Sequence, residues 1–225
     1  FNGSAEARSL IADGASLVVV GVVNGPSQTM NDGFVMKLDH SNGNIQWMKM
    51  IESEGRMNRL LDIKKNGNQY LLAMQNGISG DNDVKPAILT LDINGSLLSA
   101  QQFDFSSKSK NNYPGRWLAL CQNGDIIQAY GENIGPSLSR PVIARFSSSG
   151  NLIWANEYRA LNNLYINRLS EDINGHVAVV GTASESSALP RQFLVIKTDA
   201  NGTIANQDAG GCTPQAVNVS VSTSP

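Results

Sequence analysis

The chain has 225 residues, of which 41% are hydrophobic and only 16% are charged, and its formal net charge at pH 7 is −2. This near-neutral balance gives no electrostatic reason to expect nucleic acid as a partner. No apolar run approaches the roughly 18 residues of a membrane-spanning helix, so we expect no direct membrane insertion. Because the chain starts at Phe1, with neither an initiator Met nor a signal peptide, we expect it to be a piece of a longer protein.

Internal periodicity is the strongest feature of the sequence. One series of turn glycines falls at positions 14, 67, 124 and 175, and a second falls at 43, 95, 150 and 202. The two series keep step with each other, so each repeat contains two hairpins.

Each turn glycine lies between short runs rich in Val, Ile and Leu, and most of the turns contain Asn-Gly or Asp-Gly. Such dipeptides are typical of tight β-hairpins, and no stretch has a helical apolar stripe. We therefore predict an all-β chain with almost no helix, in which four sheets of about four antiparallel strands pack face to face. In chain order the predicted parts are an N-terminal extension or closing strand (1–7), four repeats (8–51, 57–104, 116–158 and 166–206) and an exit linker or start of a further segment (207–225).

A period of 50-odd residues with four short strands is typical of a β-propeller blade. The pattern Asp39-x-x-x-Gly43-x-x-x-Trp47 resembles the tryptophan-docking repeat of quinoprotein-like propellers, and Trp154 keeps the same offset from its glycine. The amino-acid sequence of the repeats is similar to that of degenerate propeller repeats in secreted and surface proteins of Bacteroidota. That resemblance implies a propeller fold, an extracellular or surface location and, in many such proteins, type IX secretion, but no catalytic residue.

Four blades are either an arc of a larger propeller or a small closed ring, and we favour the arc. An open arc exposes the apolar faces of its first and last blades, for which we expect Val18, Val20 and Val179 to be exposed. The segment 208–225 breaks the strand periodicity, so we predict that it is either a linker or an extra strand on a neighbouring sheet.

The long connections between strands two and three, and those between repeats, fall on one face of such a scaffold, where binding residues usually lie. Four arginines recur just before or within a first strand, and guanidinium groups bind carboxylates and other anions well. The competing interpretation is that each arginine pairs with an acid of its own blade. The candidate ligand-binding residues, with two neighbouring aromatic side chains, are Arg8, Arg59, Arg116, Arg168, Tyr113 and Trp117.

No arrangement of residues matches a known catalytic or metal-binding motif, so we expect no cofactor and no metal. Cys121 is predicted to be a buried thiol, and whether it pairs with Cys212 is left open. His40 and His176 are expected to be turn residues. The Asp-x-Asn-Gly turns at Asp92, Asp172 and Asp199 superficially resemble calcium loops, but we expect Asx-stabilised turns. Trp47 and Trp154 are expected to pack between blades.

These observations favour a non-enzymatic binding or assembly module of a secreted or cell-surface protein. Its partners would be other domains of the same protein, a partner protein in a surface complex, or an anionic glycan. The first alternative is a propeller-fold enzyme of the polysaccharide lyase or glycosidase type, which a pair of acids converging near the axis would favour. Without such a pair Glu54, Asp81 and Glu132 are ordinary loop acids. The second alternative is an architectural spacer.

Overall fold

The computed structural model describes residues 4–24, 31–52, 56–78, 85–104, 112–121, 123–135, 138–159, 165–183, 192–204, 213–216 and 220–223. These residues form strands and turns, and none of them lies in a helix. No helix among them could therefore span a membrane. The predictions for Glu54, Asp81 and Cys212 fall outside the described residues.

The chain divides into two compact units, and each contains two of the predicted repeats. Unit 1 comprises residues 1–102 and 222–225, and unit 2 comprises residues 103–221. Each repeat forms one antiparallel sheet whose strands follow one another in sequence, which confirms an all-β fold of the β-propeller class.

Sheets 1 and 2 come from the first two repeats. Sheet 1 consists of β1 (Ala5–Asp13), β2 (Ser16–Asn24), β3 (Asn31–Asp39) and β4 (Ile45–Ile51). Sheet 2 consists of β5 (Arg56–Asn66), β6 (Gln69–Ile78), β7 (Lys85–Asp92) and β8 (Leu97–Asp104).

Sheets 3 and 4 come from the last two repeats. Sheet 3 consists of β9 (Asn112–Leu120), β10 (Ile126–Gly135), β11 (Leu138–Phe146) and β12 (Leu152–Arg159). Sheet 4 has three strands among the described residues, namely β13 (Tyr165–Glu171), β14 (Val177–Ala183) and β15 (Gln192–Lys197).

The C-terminal segment adds strands to earlier sheets rather than to sheet 4. The strand β16 (Thr213–Ala216) pairs antiparallel with β12 in sheet 3, and β17 (Ser220–Thr223) lies beside β8 in sheet 2. Of the two roles predicted for segment 208–225, an extra strand on a neighbouring sheet is the one that the described residues take.

Each unit has its own core, formed where two consecutive sheets pack face to face. In unit 1 the core joins Val18, Val20 and Val35 of sheet 1 to sheet 2 residues such as Leu72 and Leu89. In unit 2 it joins sheet 3 to sheet 4, and its members include Ile127, Ala129, Ile143, Val177 and Val179.

The expectation that Val18, Val20 and Val179 would be exposed is wrong. Their side chains are 0%, 0% and 1% exposed, because they point into these two cores. Neighbouring residues of a strand point to opposite faces, and the opposite faces of these two sheets carry exposed apolar residues such as Leu10 and Val195.

The tight turns are held by the aspartates that begin them, as predicted. Asp92 accepts hydrogen bonds from the backbone N–H groups of Asn94 and Ser96 at 2.9 and 2.7 Å. Asp172 and Asp199 make the same pair of bonds in their own turns. These carboxylates therefore serve as Asx turns, in which the side chain replaces a backbone acceptor.

Candidate functional site

The four candidate arginines do not occupy one equivalent position in the four sheets. Arg59 pairs opposite Gln75, and Arg168 pairs opposite Val180. Arg8 lies in a bulge between Ala7 and Ser9, where it has no cross-strand partner. When the hairpin turns are superposed, Ser9 corresponds to Arg168, which places Arg8 one register position earlier.

The arginine side chains that the structure describes have different surroundings. Arg8 forms an ion pair with Glu6 of its own strand at 2.7 Å, which is the competing interpretation made from the sequence. Arg168 is exposed and donates a hydrogen bond to the Asn167 carbonyl at 3.2 Å. Arg59 is half-buried.

The remaining candidate residues predicted from the sequence lie on β9. Tyr113, Arg116 and Trp117 belong to this strand, and Trp117 pairs opposite Ala129. Their side chains fall outside the described part of the chain. Their role in ligand binding therefore remains a prediction.

A polar cluster that the sequence did not reveal joins the first strands of unit 1. The Ser9 hydroxyl donates a hydrogen bond to the Asp62 carboxylate at 2.6 Å, and Lys64 lies 3.2 Å from the same carboxylate. The Asp62 side chain is only 3% exposed. This carboxylate thus links two adjacent sheets, and its burial makes it a structural group.

A larger charged cluster, here called the Lys37 cluster, lies where sheet 1 meets sheet 2. Lys37 of β3 donates to the Asp13 carboxylate at 2.8 Å and to the Tyr70 hydroxyl of sheet 2 at 3.0 Å. The Tyr70 hydroxyl and Lys65 also donate to Asp13. These hydrogen bonds, chiefly the one from Lys37, hold the pKa of Asp13 well below its usual range.

The equivalent cluster of unit 2, the Arg145 cluster, lies where sheet 3 meets sheet 4. Arg145 of β11 donates from Nε to Asp125 at 2.9 Å, and its Nη2 lies 3.1 Å from Glu171 of sheet 4. The Arg145 and Glu171 side chains are 9% and 6% exposed. Cys121 is buried beside this cluster as predicted, and burial raises the pKa of its thiol to about 12.

The two clusters occupy matching register positions. Lys37 and Arg145 both lie two residues before the first residue of the second hairpin turn. Lys65, the penultimate residue of β5, and Glu171, the last residue of β13, likewise occupy matching positions in the following sheet, opposite Tyr70 and Val177. In both units a third-strand cation therefore binds an acid in the first hairpin turn of its own sheet and reaches the first hairpin of the next sheet.

Sheet 4 contains the first of these two interactions, the ion pair between a third-strand cation and an acid in the first hairpin turn of its own sheet. Lys197 is two residues before Asp199, and its Nζ lies 3.6 Å from Asp172 in the first hairpin turn of sheet 4. The Lys197 and Asp172 side chains are 65% and 37% exposed, whereas those of Lys37 and Asp13 are 14% and 9% exposed. The Lys197 pair is thus more exposed than the corresponding pair of the Lys37 cluster.

Trp47 and Trp154 pack at these junctions between sheets, as expected. The Trp154 indole N–H donates to the Ala200 carbonyl at 3.0 Å, in the second hairpin turn of sheet 4. Trp47 packs in the same way over Gly95, whose position for a Cβ lies 3.0 Å from the indole. Both glycines of these turns, Gly95 and Gly202, have positive φ.

Each sheet has two faces, which we name from these junctions. The trailing face packs on the following sheet and carries positions such as Val18 and Val20 in sheet 1. The leading face packs on the preceding sheet and carries positions such as Val177 and Val179 in sheet 4. In unit 1 the trailing face of sheet 1 covers the leading face of sheet 2, and in unit 2 the trailing face of sheet 3 covers the leading face of sheet 4.

The leading face of sheet 1 is apolar and is not buried. Its cross-strand rows are Leu10–Val19–Met36–Met48 and Ala12–Leu17–Leu38–Ile45. Leu10, Ile45 and Met48 are 61%, 60% and 41% exposed. Contiguous apolar patches of this kind on a folded protein usually mark an interaction surface.

The trailing face of sheet 4 carries two exposed apolar side chains among polar and charged ones. Val180 pairs with Val195, and Thr182 pairs with Phe193. Phe193 and Val195 are 78% and 55% exposed. Arg168 and Lys197 share this face, since they pair opposite Val180 and Ala178.

One pair of neighbouring acids lies at the ends of outer strands. Burial raises the pKa of Asp32 on β3, and the charge of Glu52 just after β4 adds to this effect. Sequence reasoning did not single out either residue. Asp32 lies on β3 and Glu52 directly follows β4, whereas the criterion set from the sequence for an enzyme was a pair of acids converging near the propeller axis.

The remaining predicted polar residues are turn residues. The His40 backbone N–H donates to Ala15, and the His176 ring Nδ1 lies 3.0 Å from Asp172. Among the described residues no group of three or more His, Cys, Asp or Glu side chains could hold a metal ion.

No protein-family model matches the sequence, and no curated protein matches it. The fold is similar to that of a subtype N11 neuraminidase-like protein of A/flat-faced bat/Peru, with 13% identity, a TM-score of 0.54 and coverage of 97% of this chain and 61% of the other. It is also similar to sucrose-6-phosphate hydrolase from Lactobacillus gasseri, with 9% identity, a TM-score of 0.53 and coverage of 88% and 48%. At these identities the similarity shows the fold alone. The chain spans about three-fifths and about half of the length of these two proteins.

Proposed function

We propose that this protein is a non-enzymatic binding or assembly module of a secreted or cell-surface protein. The observation that carries the proposal is the pair of sheet faces with exposed apolar residues, the leading face of sheet 1 and the trailing face of sheet 4. Leu10 and Phe193 are 61% and 78% exposed on these faces, whereas Ile63, in the register position of Leu10 in sheet 2, is packed in the core of unit 1. Surfaces of this kind on soluble domains bind other proteins.

The charged clusters support the same proposal, because their ionisable groups already form hydrogen bonds with one another. Asp13 accepts hydrogen bonds from Lys37, Lys65 and Tyr70, which leaves it protonated only at very low pH. A general acid or base works best when its pKa lies near the working pH, and Asp13 is far from that condition. These clusters hold sheets together rather than act on a substrate.

The long-loop face is the proposed site for a second class of ligand, an anionic glycan. The proposed residues are those predicted from the sequence: Arg8, Arg59, Arg116, Arg168, Tyr113 and Trp117. The resemblance of the repeats to those of Bacteroidota surface proteins supports a surface location reached by type IX secretion. Arginine binds carboxylate and sulfate groups through paired hydrogen bonds, which gives this ligand class its chemical basis.

This function is tested by measuring whether the protein binds or cleaves the members of one panel of polysaccharides. The protein is mixed with sulfated, uronate-containing and neutral polysaccharides, and affinity electrophoresis is run alongside an assay for released reducing ends. We expect retardation by anionic polysaccharides without product release. Arg59→Ala and Arg168→Ala should weaken retardation, whereas Lys49→Ala, which removes an exposed charge on β4, should not. Product release, or equal effects of all three variants, contradicts the proposal.

A propeller-fold glycosidase is the second candidate, and the Asp32–Glu52 pair is the observation that favours it. The raised pKa of Asp32 is the property expected of a general acid. The fold similarity to a neuraminidase-like protein and to a sucrose-6-phosphate hydrolase is compatible with this reaction class. If the polysaccharide panel shows product release, Asp32→Asn should abolish it, whereas Asp39→Asn, in an exposed turn, should leave it unchanged.

A further inference from the structure

The outermost strands of the four sheets are of two kinds. Among the described residues sheets 1 and 4 end at β4 and β15, whereas sheets 2 and 3 continue into the short strands β17 and β16. Lysine on an outermost strand hinders pairing with another chain, and β4 has the exposed Lys49 and β15 the 65% exposed Lys197. In contrast, β8 and β12 contain no lysine. The two strands without this protection are therefore the two that the C-terminal segment covers.

The outer edge of β12 has little other protection. Its sequence contains no proline, and its Ile153 side chain is 51% exposed. The carboxylate of Glu157 does not deter an approaching strand, because this residue is only 5% exposed. Without a neighbour, this eight-residue strand would present a row of unpaired N–H and C=O groups, which is a template for strand addition.

The register of β16 shows which of its backbone groups face β12. Pro214 lies opposite Tyr158, and hydrogen-bonded and non-hydrogen-bonded pairs alternate along an antiparallel ladder. Because proline has no N–H, Tyr158 and Pro214 form a non-hydrogen-bonded pair, in which the proline nitrogen faces away from β12. The hydrogen-bonded pairs are therefore Glu157 with Gln215 and the neighbouring pair of Arg159 with Thr213.

We infer that β16 is an edge cap, which keeps β12 from pairing with β12 of a second copy of this chain. With four residues, one of them a proline whose nitrogen faces outward, β16 is itself a poor template for a further strand. Two uncapped β12 strands could pair antiparallel, and such a self-complementary contact closes at a dimer. The inference goes beyond the proposed function, and the contacts that carry it lie within unit 2.

Two proline substitutions in the full chain test whether β16 is bonded to β12 in this register. Gln215→Pro removes an N–H that faces β12, whereas Ala216→Pro, the matched control, removes one that faces outward like the nitrogen of Pro214. We expect the Glu157 backbone N–H to exchange with solvent roughly fivefold faster or more in Gln215→Pro, and at the wild-type rate in Ala216→Pro. Equal exchange rates in the two variants overturn the register.

Sedimentation velocity over a range of concentrations measures the consequence of removing the cap. Gln215→Pro should form a dimer at concentrations where wild type and Ala216→Pro sediment alike. If Gln215→Pro sediments like wild type, or if Ala216→Pro associates to the same extent, the edge-cap inference is wrong. Thr213→Pro removes the other N–H that faces β12, and it repeats the test if Gln215→Pro loses the wild-type circular dichroism spectrum.

A lysine placed on β12 tests whether the dimer forms through this strand. Ile153→Lys gives β12 the kind of residue that β4 and β15 already have, at an exposed position. Added to Gln215→Pro, it should restore the sedimentation of wild type, while the Glu157 backbone N–H continues to exchange fast. Dimerisation that survives Ile153→Lys overturns pairing through β12.

Discussion

Substituting the turn glycines by alanine measures how tightly the tryptophans hold one sheet on the next. Gly43, Gly95 and Gly202 are the glycines of the second hairpin turns of sheets 1, 2 and 4 and have φ of 72°, 81° and 77°. An alanine at any of them adopts a left-handed conformation, which costs about 1–2 kcal/mol. The three positions differ in what the added methyl group would meet.

The contacts predict a graded series. A Cβ at Gly43 meets nothing within 4 Å, so Gly43→Ala should cost only the backbone strain. At Gly95 the Trp47 ring lies 3.0–3.2 Å away and must move by a few tenths of an ångström. At Gly202 the Trp154 ring lies 2.8 Å away and the Asn156 amide 2.5 Å away, so Gly202→Ala adds an overpacking cost of about 1–3 kcal/mol.

Urea unfolding monitored by tryptophan fluorescence and circular dichroism gives the free energies of unfolding. We expect Gly43→Ala, Gly95→Ala and Gly202→Ala to be increasingly destabilising, with about 2–5 kcal/mol lost in the last. In a Trp154→Ala background the cost of Gly202→Ala should fall towards that of Gly43→Ala, which a double-mutant cycle records as coupling. Equal costs for all three, or no coupling to Trp154, would refute packing of the indole on the turn.

Three further predictions follow from the buried ionisable groups. Asp13→Asn should destabilise the protein at neutral pH, and the difference from wild type in urea titrations should shrink progressively as the pH falls below the unfolded pKa of about 3.9, because the stabilisation is lost as the pH approaches the lowered native pKa. Arg145→Met leaves Asp125 and Glu171 buried without their cation and should cost about 3–5 kcal/mol, most of which Asp125→Asn with Glu171→Gln should restore; no recovery in the triple variant would contradict this. Because the pKa of Cys121 is raised to about 12, wild type should lose stability relative to Cys121→Ala as the pH rises above about 8.5, where the unfolded thiol ionises; parallel pH profiles would contradict this.

The repeat architecture could be predicted from the sequence because it depends on residues that are close together in the chain. All eight glycines chosen as turn positions have positive φ, and the strands begin and end around them. Tight hairpins depend on a few neighbouring residues, so a single sequence is enough to place them.

The junction clusters could not be predicted in the same way. Lys37, Asp13 and Tyr70 are separated by 24 to 57 positions in the chain and meet only when two sheets pack. In addition, Arg8 lies in a bulge whereas Arg168 pairs opposite Val180, so similar spacing from a turn does not give these two arginines equivalent positions.

The sequence also could not show which face of each strand points into the core. Val18 and Val19 are equally apolar, and only the pairing of the sheets decides which of them points into the core. A shift of one residue exchanges the two faces of a strand. The sequence thus predicted that terminal sheets expose apolar residues, but it named the wrong ones.

Solvent access to the methionine methyl groups tests most directly whether sheet 1 presents an exposed apolar face. Met48 is 41% exposed on the leading face of sheet 1, whereas Met57 and Met74 are 7% and 3% exposed. With carbon-13-labelled methyl groups and a soluble paramagnetic agent, the Met48 signal should broaden strongly while those of Met57 and Met74 stay sharp. A Met48 methyl that is as protected as that of Met74 would contradict the account.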